Sequence, residues 1–112
     1  MTADDVRRVA LSLPEAEERE TWGEATFRVR DKIFVMLGPD GRKAGVKASL
    51  DDQAALVEAD PETFSVASYT GRFGWITVDL ATVNPDLMRR LVVAAWRRTA
   101  PKRLAAARPA PD

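Results

Sequence analysis

Apolar side chains recur at the three- and four-residue spacing of an amphipathic helix in three segments of the chain. The first segment, residues 2–13, begins with a Thr-x-x-Asp capping box and stops before Pro14. The second covers residues 49–60 and begins with Ser-x-x-Asp, which has the same capping-box spacing. The third begins with an Asn-Pro pair at residues 84–85 and ends at Pro101. The pattern therefore predicts three helices, at the start, the middle and the end of the chain.

Five further segments are rich in β-branched and aromatic residues, and several alternate between apolar and polar positions as half-buried strands do. These segments are residues 21–29, 32–37, 43–48, 64–68 and 75–80. Short turns join the first three into a meander. The almost continuously apolar run 32–37 predicts a central strand covered on both faces. The charged run 15–20 lacks such a pattern and is interpreted as a connector.

This order of elements predicts an α+β fold with two layers, in which helices pack on one face of an antiparallel sheet of about five strands. One domain is expected over residues 1–100, because this length suffices for a single hydrophobic core. Residues 101–112, rich in alanine, proline and arginine, are expected to form a flexible tail. Eight apolar side chains are predicted to be largely buried: Leu13, Phe27, Phe34, Val46, Ile76, Val78, Leu91 and Trp96.

The chain of 112 residues contains neither cysteine nor histidine. These absences exclude disulfides, thiolate nucleophiles, histidine-based triads and the usual zinc sites. The pair Gly71 and Gly74 lacks the lysine and the following helix of a phosphate-binding loop. We therefore predict a non-enzymatic protein with no catalytic residue, no metal and no cofactor. Neither a secretory signal nor a membrane-spanning apolar run is visible, so a cytoplasmic protein is expected.

The 17 basic and 17 acidic residues cancel in number but are segregated along the chain. Acidic residues exceed basic ones by three over residues 1–20 and by five over residues 51–68. Basic residues exceed acidic ones by three over residues 21–50 and by five from residue 84 onward. This segregation has two interpretations: the charges solvate different faces, or a basic face binds a polyanion.

Strand parity predicts where two tryptophans and three cations lie relative to the sheet. Trp22 and Arg28 share one face of the first strand, Lys43 and Lys47 the polar face of the third, and Trp75 the polar face of the fifth. If helices cover the other side, tryptophans stand among cations, as stacking on bases and contacts with phosphates would require. The alternative is that the tryptophans only cover the sheet, with lysine stems packed over them.

Several motifs in this order resemble the MmcQ/YjbR-like family, and the resemblance covers roughly residues 1–100. They are Thr-Trp-Gly-Glu-Ala-Thr-Phe-Arg-Val at 21–29, Asp-Pro-Glu-Thr-Phe at 60–64, Tyr-Thr-Gly-Arg-Phe-Gly-Trp-Ile-Thr-Val at 69–78 and Ala-Trp-Arg at 95–97. The resemblance implies an α+β fold like the frataxin-related and secretion-chaperone folds. It also implies a "double wing" DNA-binding motif.

The two hairpins of the meander are the candidate wings, but each tip carries an acid, Asp31 or Asp40, beside its basic residues. DNA is the expected partner, and a protein partner, as for a chaperone-like adaptor, is the alternative. The candidate nucleic-acid-binding residues are Trp22, Arg28, Arg30, Lys32, Arg42, Lys43, Lys47, Arg72 and Trp75.

Overall fold

Six strands and four α-helices make up residues 1–106, the part of the chain that the computed structural model describes. The strands are Ala16–Thr21 (β1), Glu24–Val29 (β2), Lys32–Leu37 (β3), Lys43–Val46 (β4), Phe64–Val66 (β5) and Ile76–Asp79 (β6). The helices are Ala3–Leu11 (α1), Leu50–Ala59 (α2), Pro85–Thr99 (α3) and Lys102–Ala106 (α4), with one 3-10 turn at Thr70–Phe73. The predicted caps are confirmed: Thr2 forms a capping box with Asp5, and the side chains of Ser49 and Asn84 accept from the first turns of α2 and α3.

All strands pair antiparallel in one sheet of order β1-β2-β3-β4-β6-β5, which confirms the α+β class. The expected number of about five strands is one too low, because the charged run 15–20 forms β1 rather than a connector. β1 is an edge strand whose four central residues are exposed, so it needs no apolar alternation. Charged side chains on an edge strand also discourage pairing with other chains.

A bulge explains the apolar run of β3. Phe27 pairs with Val35 but Arg28 pairs with Ile33, so Phe34 is an extra residue in β3. Phe34 and Val35 are both buried, whereas Ile33 is partly exposed. The expectation that both faces of this strand are covered is therefore corrected: the bulge buries two consecutive side chains.

The core lies between one face of the sheet and the helices α1 and α3. Seven of the eight predicted core residues are buried, from Leu13, two residues beyond α1, to Trp96 in α3. The indole of Trp96 also donates a hydrogen bond of 3.0 Å to the carbonyl oxygen of Pro14, which ties α3 to the start of β1. Leu91 is the exception, because it is only partly buried while Val93 is buried.

The sheet face opposite α1 and α3, called the open face below, presents one row of neighbouring residues across four strands. Thr26 pairs with Met36, Met36 with Gly45, and Gly45 with Thr77. This row is uncharged, and Met36 is its one large side chain. Its charged side chains lie on either side of the row.

The first part of the predicted flexible tail is helical. Residues 102–106 form α4, and Leu104 and Ala105 pack against the core. The rest of the predicted tail, residues 107–112, lies outside the described residues. Within residues 1–106, no helix is both long enough and apolar enough to cross a membrane.

Candidate functional site

The β2–β3 hairpin, one of the two candidate wings, carries charges that are paired within the protein. Arg30 donates to both carboxylate oxygens of Glu15, at 2.6 and 3.0 Å, and Asp31 pairs with Arg19 of β1 at 2.6 Å. The Arg30 guanidinium lowers the pKa of Glu15, and the two acids raise the pKa values of their arginines. Lys32 is exposed and forms no ion pair with residues 1–106. The wing tip therefore offers little unpaired positive charge.

Arg28 is also held within the sheet. Its guanidinium donates to the hydroxyl groups of Thr21 and Thr26, at 3.0 and 3.3 Å, and to the carbonyl oxygen of Asp31. Thr26 is buried, and its hydroxyl group also donates to the carbonyl oxygen of Arg19 at 2.8 Å. Arg28 lies on the predicted face, but its hydrogen-bonding capacity is largely used inside the fold.

Trp22 is not on a strand face, so its predicted placement is wrong. It is the first residue of the two-residue turn between β1 and β2, where Thr21 pairs with Glu24. Trp22 and Gly23 both have positive φ, 54° and 81°, as in the type I′ turn that matches strand twist. The Trp22 side chain is 98% exposed and lies at the tip of the hairpin.

The second candidate wing is the β3–β4 loop, and its cations are less constrained. Arg42 and Lys43 are exposed, and neither forms an ion pair among the described residues. Asp40 accepts from the backbone N–H of Arg42 at 3.0 Å, so this acid shapes the turn. Lys43 pairs in register with Asp79 of β6, which places a carboxylate beside it on the open face.

Two of the predicted residues meet on the open face. Continuing the β4–β6 register by one residue beyond Val46 and Ile76 places Lys47 opposite Trp75. The indole of Trp75 lies over Gly45, since a Cβ added there would be 3.9 Å from its ring. Trp75 is half-buried. The backbone register therefore places Lys47 and Trp75 in one row of the sheet, although Lys47 is not among the residues that line the groove described next.

A groove of about 410 Å³ opens on this face. Its floor is the row of Met36, Gly45 and Thr77. One end carries two charged side chains, Glu24 and Lys43. The opposite wall is the connection between β5 and β6, which contributes Ala67, Ser68, Tyr69, Thr70 and Trp75. This groove, called the open-face groove below, is an apolar channel with a charged end.

Tyr69, at the rim of the groove, has an unusual backbone. Its φ is 63° and its ψ is −53°, and the N–H of Thr70 donates to the carbonyl oxygen of Ser68 at 2.6 Å. This is a γ-turn with positive φ, a rare and strained conformation. The Tyr69 side chain is 95% exposed, so no packing explains the strain. Strain of this kind at an exposed residue is typical of functional sites.

Gln53 of α2 holds the Tyr69 loop in place. Its buried amide donates to the carbonyl oxygens of Gly71 and Trp75, at 2.7 and 2.8 Å. Gly71 packs so closely on Val66 that a Cβ there would collide with the valine side chain. Gly74 has a φ of 97° and lies directly against the carbonyl oxygen of Ala48, so it must be glycine. The loop is therefore anchored through Gly71, Gly74 and Trp75, although it carries exposed side chains.

Arg72 lies in the same loop but is not among the residues that line the groove. Its guanidinium is 4.7 Å from the centre of the Phe73 ring, and both side chains are exposed. The sequence motifs pointed to the tryptophans and cations but not to Gln53 or Met36. A single glutamine in a helix gives no local signal, because its partners are 18 and 22 residues away.

The described residues contain no group of three or more acidic side chains placed to hold a metal ion. What the open-face groove offers is an apolar floor, an aromatic wall and cations at its edges. Such a surface can take a flat ring or an apolar side chain, together with a negative group.

The fold and the groove define a small two-layer α+β domain with one open sheet face. A family model named YjbR matches residues 11–98, and the chain belongs to the YjbR family. The crystal structure of Deinococcus radiodurans protein DR2400, described with the domain DUF419, is similar, with a TM-score of 0.79. The two sequences are 20% identical, and the match covers 87% of this chain and 77% of that one. This likeness concerns the fold. No functionally curated protein matches the chain.

Proposed function

We propose that the protein is a non-enzymatic binding domain that takes single-stranded DNA in the open-face groove. The observation that carries the proposal is the strained Tyr69, in an anchored loop at the rim of a groove that also contains Trp75. Two aromatic side chains on one surface can each stack on a base, whatever its identity. The absence of histidine and cysteine supports the non-enzymatic part of the proposal.

The cations around the groove support an anionic ligand. Lys43 lies at one end, Lys47 lies beside Trp75, and Arg72 lies on the same loop as Tyr69. None of the three forms an ion pair within residues 1–106. Contacts with a few phosphates could therefore add to base stacking.

The charges of the hairpins argue for a single strand rather than a duplex. A wing that enters a groove of duplex DNA needs cations at its tip, and Arg30 is held by Glu15 instead. Arg28 is committed to hydroxyl groups of the sheet. The double-wing mode that the family resemblance implies thus depends mainly on Arg42 and Lys43. Stacking in the groove depends on neither hairpin tip.

Fluorescence anisotropy with a labelled 12-nucleotide strand and a duplex of equal length tests this proposal. We expect the strand to bind more tightly than the duplex. With about three phosphate contacts, affinity should fall about 20-fold between about 50 and about 200 mM salt. Absence of binding to either probe at about 50 mM salt, where phosphate contacts are strongest, would falsify the proposal.

Two charge-reversal variants distinguish binding in the open-face groove from binding at the β2–β3 wing. Lys47→Glu should weaken binding of the single strand at least about tenfold, since a phosphate contact is replaced by repulsion. Lys32→Glu makes the same change of charge on the β2–β3 hairpin and should have a much smaller effect. A larger effect of Lys32→Glu would assign binding to the wing. Thermal unfolding of both variants controls for loss of the fold.

A protein partner is the second candidate, and Trp22 is the observation that favours it. Tryptophan is enriched among the residues that contribute most at protein interfaces. The neighbours of Trp22 in the hairpin include the acids Glu20 and Glu24, which disfavour a nucleic acid at this tip. An apolar protein interface would respond little to salt, unlike the phosphate contacts of the first candidate.

A further inference from the structure

The end of the open-face groove carries a row of charged residues beside its apolar floor. Lys43 pairs in register with Asp79, and the N–H of Gly38 donates to the carbonyl oxygen of Lys43 at 2.8 Å. Continuing the β2–β3 register by two residues from Thr26 places Glu24 opposite Gly38. Across the sheet, the row therefore consists of Glu24, Gly38, Lys43 and Asp79, and its first three members line the groove.

Glu24 is the carboxylate of this row whose hydrogen-bonding capacity is unused. Asp79 accepts from the backbone N–H of Ala81 at 2.9 Å, so one of its oxygens belongs to the turn after β6. Glu24 is half-buried, and its carboxylate forms no ion pair within residues 1–106. Gly38 adds no side chain between Glu24 and Lys43. A carboxylate and an ammonium group therefore flank an open position at the end of the groove.

This pair of charges is complementary to the Watson–Crick edge of guanine. That edge presents two adjacent donors, N1–H and the N2 amino group, beside one acceptor, O6. A carboxylate accepts two parallel hydrogen bonds from such donors, and an ammonium group donates to O6. Thymine instead presents one donor between two carbonyl oxygens, which a carboxylate repels, and cytosine and adenine present a single amino group. Guanine therefore suits this end of the groove best among the four DNA bases.

We propose that Glu24 selects guanine in the single strand that the open-face groove takes, with Lys43 donating to O6. This inference rests on the function proposed above and adds a base preference to it. Two residues of a strand span about 7 Å, so a purine that stacks on Trp75 above Gly45 reaches the row of Glu24 with its far edge. Because Glu24 repels phosphates, the backbone of the strand lies toward Lys47, in the opposite direction from Gly45.

Anisotropy titrations at about 50 mM salt test this preference with three 12-nucleotide strands of thymidine. One strand is unchanged, one carries a single central guanine, and one carries hypoxanthine there, which is guanine without the N2 amino group. The guanine strand should bind at least about fivefold more tightly than each of the other two, the lower limit for a bidentate base contact. Free dGMP offers the same edge without flanking bases and should compete at least about tenfold more weakly than the guanine strand.

Two variants of the β1–β2 hairpin assign the preference to one side chain. Glu24→Gln should bring the ratio of guanine to hypoxanthine affinity close to one, because its amide replaces an acceptor oxygen by a donor that faces a donor of guanine. Glu20→Gln is the matched control and should keep the ratio of the wild type. Glu20 is exposed and pairs with Ala25, so it lies on the other face of the same hairpin. Thermal unfolding verifies that both variants are folded.

Each result bears on a different part of the proposal. Equal binding of the three strands to the wild type overturns the base preference but leaves single-strand binding intact, and this comparison needs no variant. Absence of binding to all three overturns both. An unchanged ratio in folded Glu24→Gln overturns the role of Glu24. Equal affinity for dGMP and the guanine strand assigns the groove to a free nucleotide and also overturns the proposal.

Discussion

The backbone of Tyr69 is the most strained feature of the open-face groove. A non-glycine residue in such a conformation costs on the order of 1–3 kcal/mol. Gln53, Gly71 and Gly74 hold it there through hydrogen bonds and close packing. At the scale of single residues, the protein thus carries a destabilising backbone conformation where an aromatic ring is exposed to solvent.

Tyr69→Gly should therefore raise the free energy of unfolding, or leave it unchanged, although an aromatic ring is lost. Glycine adopts positive φ without strain, and the expected gain is up to about 1 kcal/mol after the loss of backbone entropy. The same variant should bind single-stranded DNA at least about fivefold more weakly, the lower limit for one lost stacking contact. Urea unfolding and anisotropy measure the two effects, and Ser68→Gly is the neighbouring control. A clear loss of stability would show that Tyr69 is structural.

The ion pair of Glu15 and Arg30 gives a pH dependence with a definite sign. Arg30 lowers the pKa of Glu15 in the folded protein. Such a carboxylate stabilises the fold above its unfolded pKa and loses this contribution as the pH falls through the folded pKa. The difference in unfolding free energy between wild type and Glu15→Gln should be constant near neutral pH and shrink below about pH 4.3. Because both groups are exposed, the difference is small and salt-sensitive.

The control for this prediction is Glu20→Gln, at an exposed glutamate of β1 that forms no ion pair with residues 1–106. Urea unfolding across the pH range should give nearly parallel curves for this variant and the wild type. Parallel curves for Glu15→Gln as well would mean that the ion pair does not form in solution.

At the scale of elements, α3 shows how a helix face is selected. Met88, Val92 and Trp96 are fully buried under the sheet, while Leu91 lies at the edge of the buried stripe. Met88→Ala should therefore lower the free energy of unfolding by about 2–5 kcal/mol, as truncations in a core do. Leu91→Ala should cost less than half as much. Thermal or urea unfolding of the two variants compares them directly, and equal losses would contradict this orientation of α3.

At the scale of the whole molecule, the domain extends beyond the boundary at residue 100. Leu104 and Ala105 of α4 pack against the core, and α4 also contacts α3. A chain that ends at Ala100 should therefore be about 1–2 kcal/mol less stable than one that ends at Ala106, since partial burial of a leucine contributes this much. Leu104→Ala in the longer chain should account for most of the difference. Equal stabilities of the two chains would indicate that the domain ends at residue 100, as the sequence predicts.

Local patterns in the sequence were enough to predict the fold class. The caps at Thr2, Ser49 and Asn84 bond to neighbouring backbone groups, so their positions can be predicted without tertiary information. Apolar periodicity likewise identified seven buried core residues, because burial repeats with the geometry of the element. β1 was missed for the same reason, since an edge strand exposed along its length has no apolar pattern.

The residues of the candidate site could be predicted only in part from the sequence. The register places Trp75 and Lys47 in one row of the sheet, because parity is a local property of extended backbone. Trp22 is not in such a row, since a turn interrupts the strand there and removes the parity. Gln53 gave no signal, because its hydrogen bonds join a helix to a loop far along the chain.

The sequence by itself determined the α+β class, the helix starts, part of the core and the exclusion of chemistry that needs histidine or cysteine. These follow from composition and from interactions between residues close in the chain. Only the tertiary structure decided which cations are paired, as with Arg30 and Glu15, and which surface is a groove. Pairing and concavity depend on distances between segments that meet only after folding, and no local pattern encodes those distances.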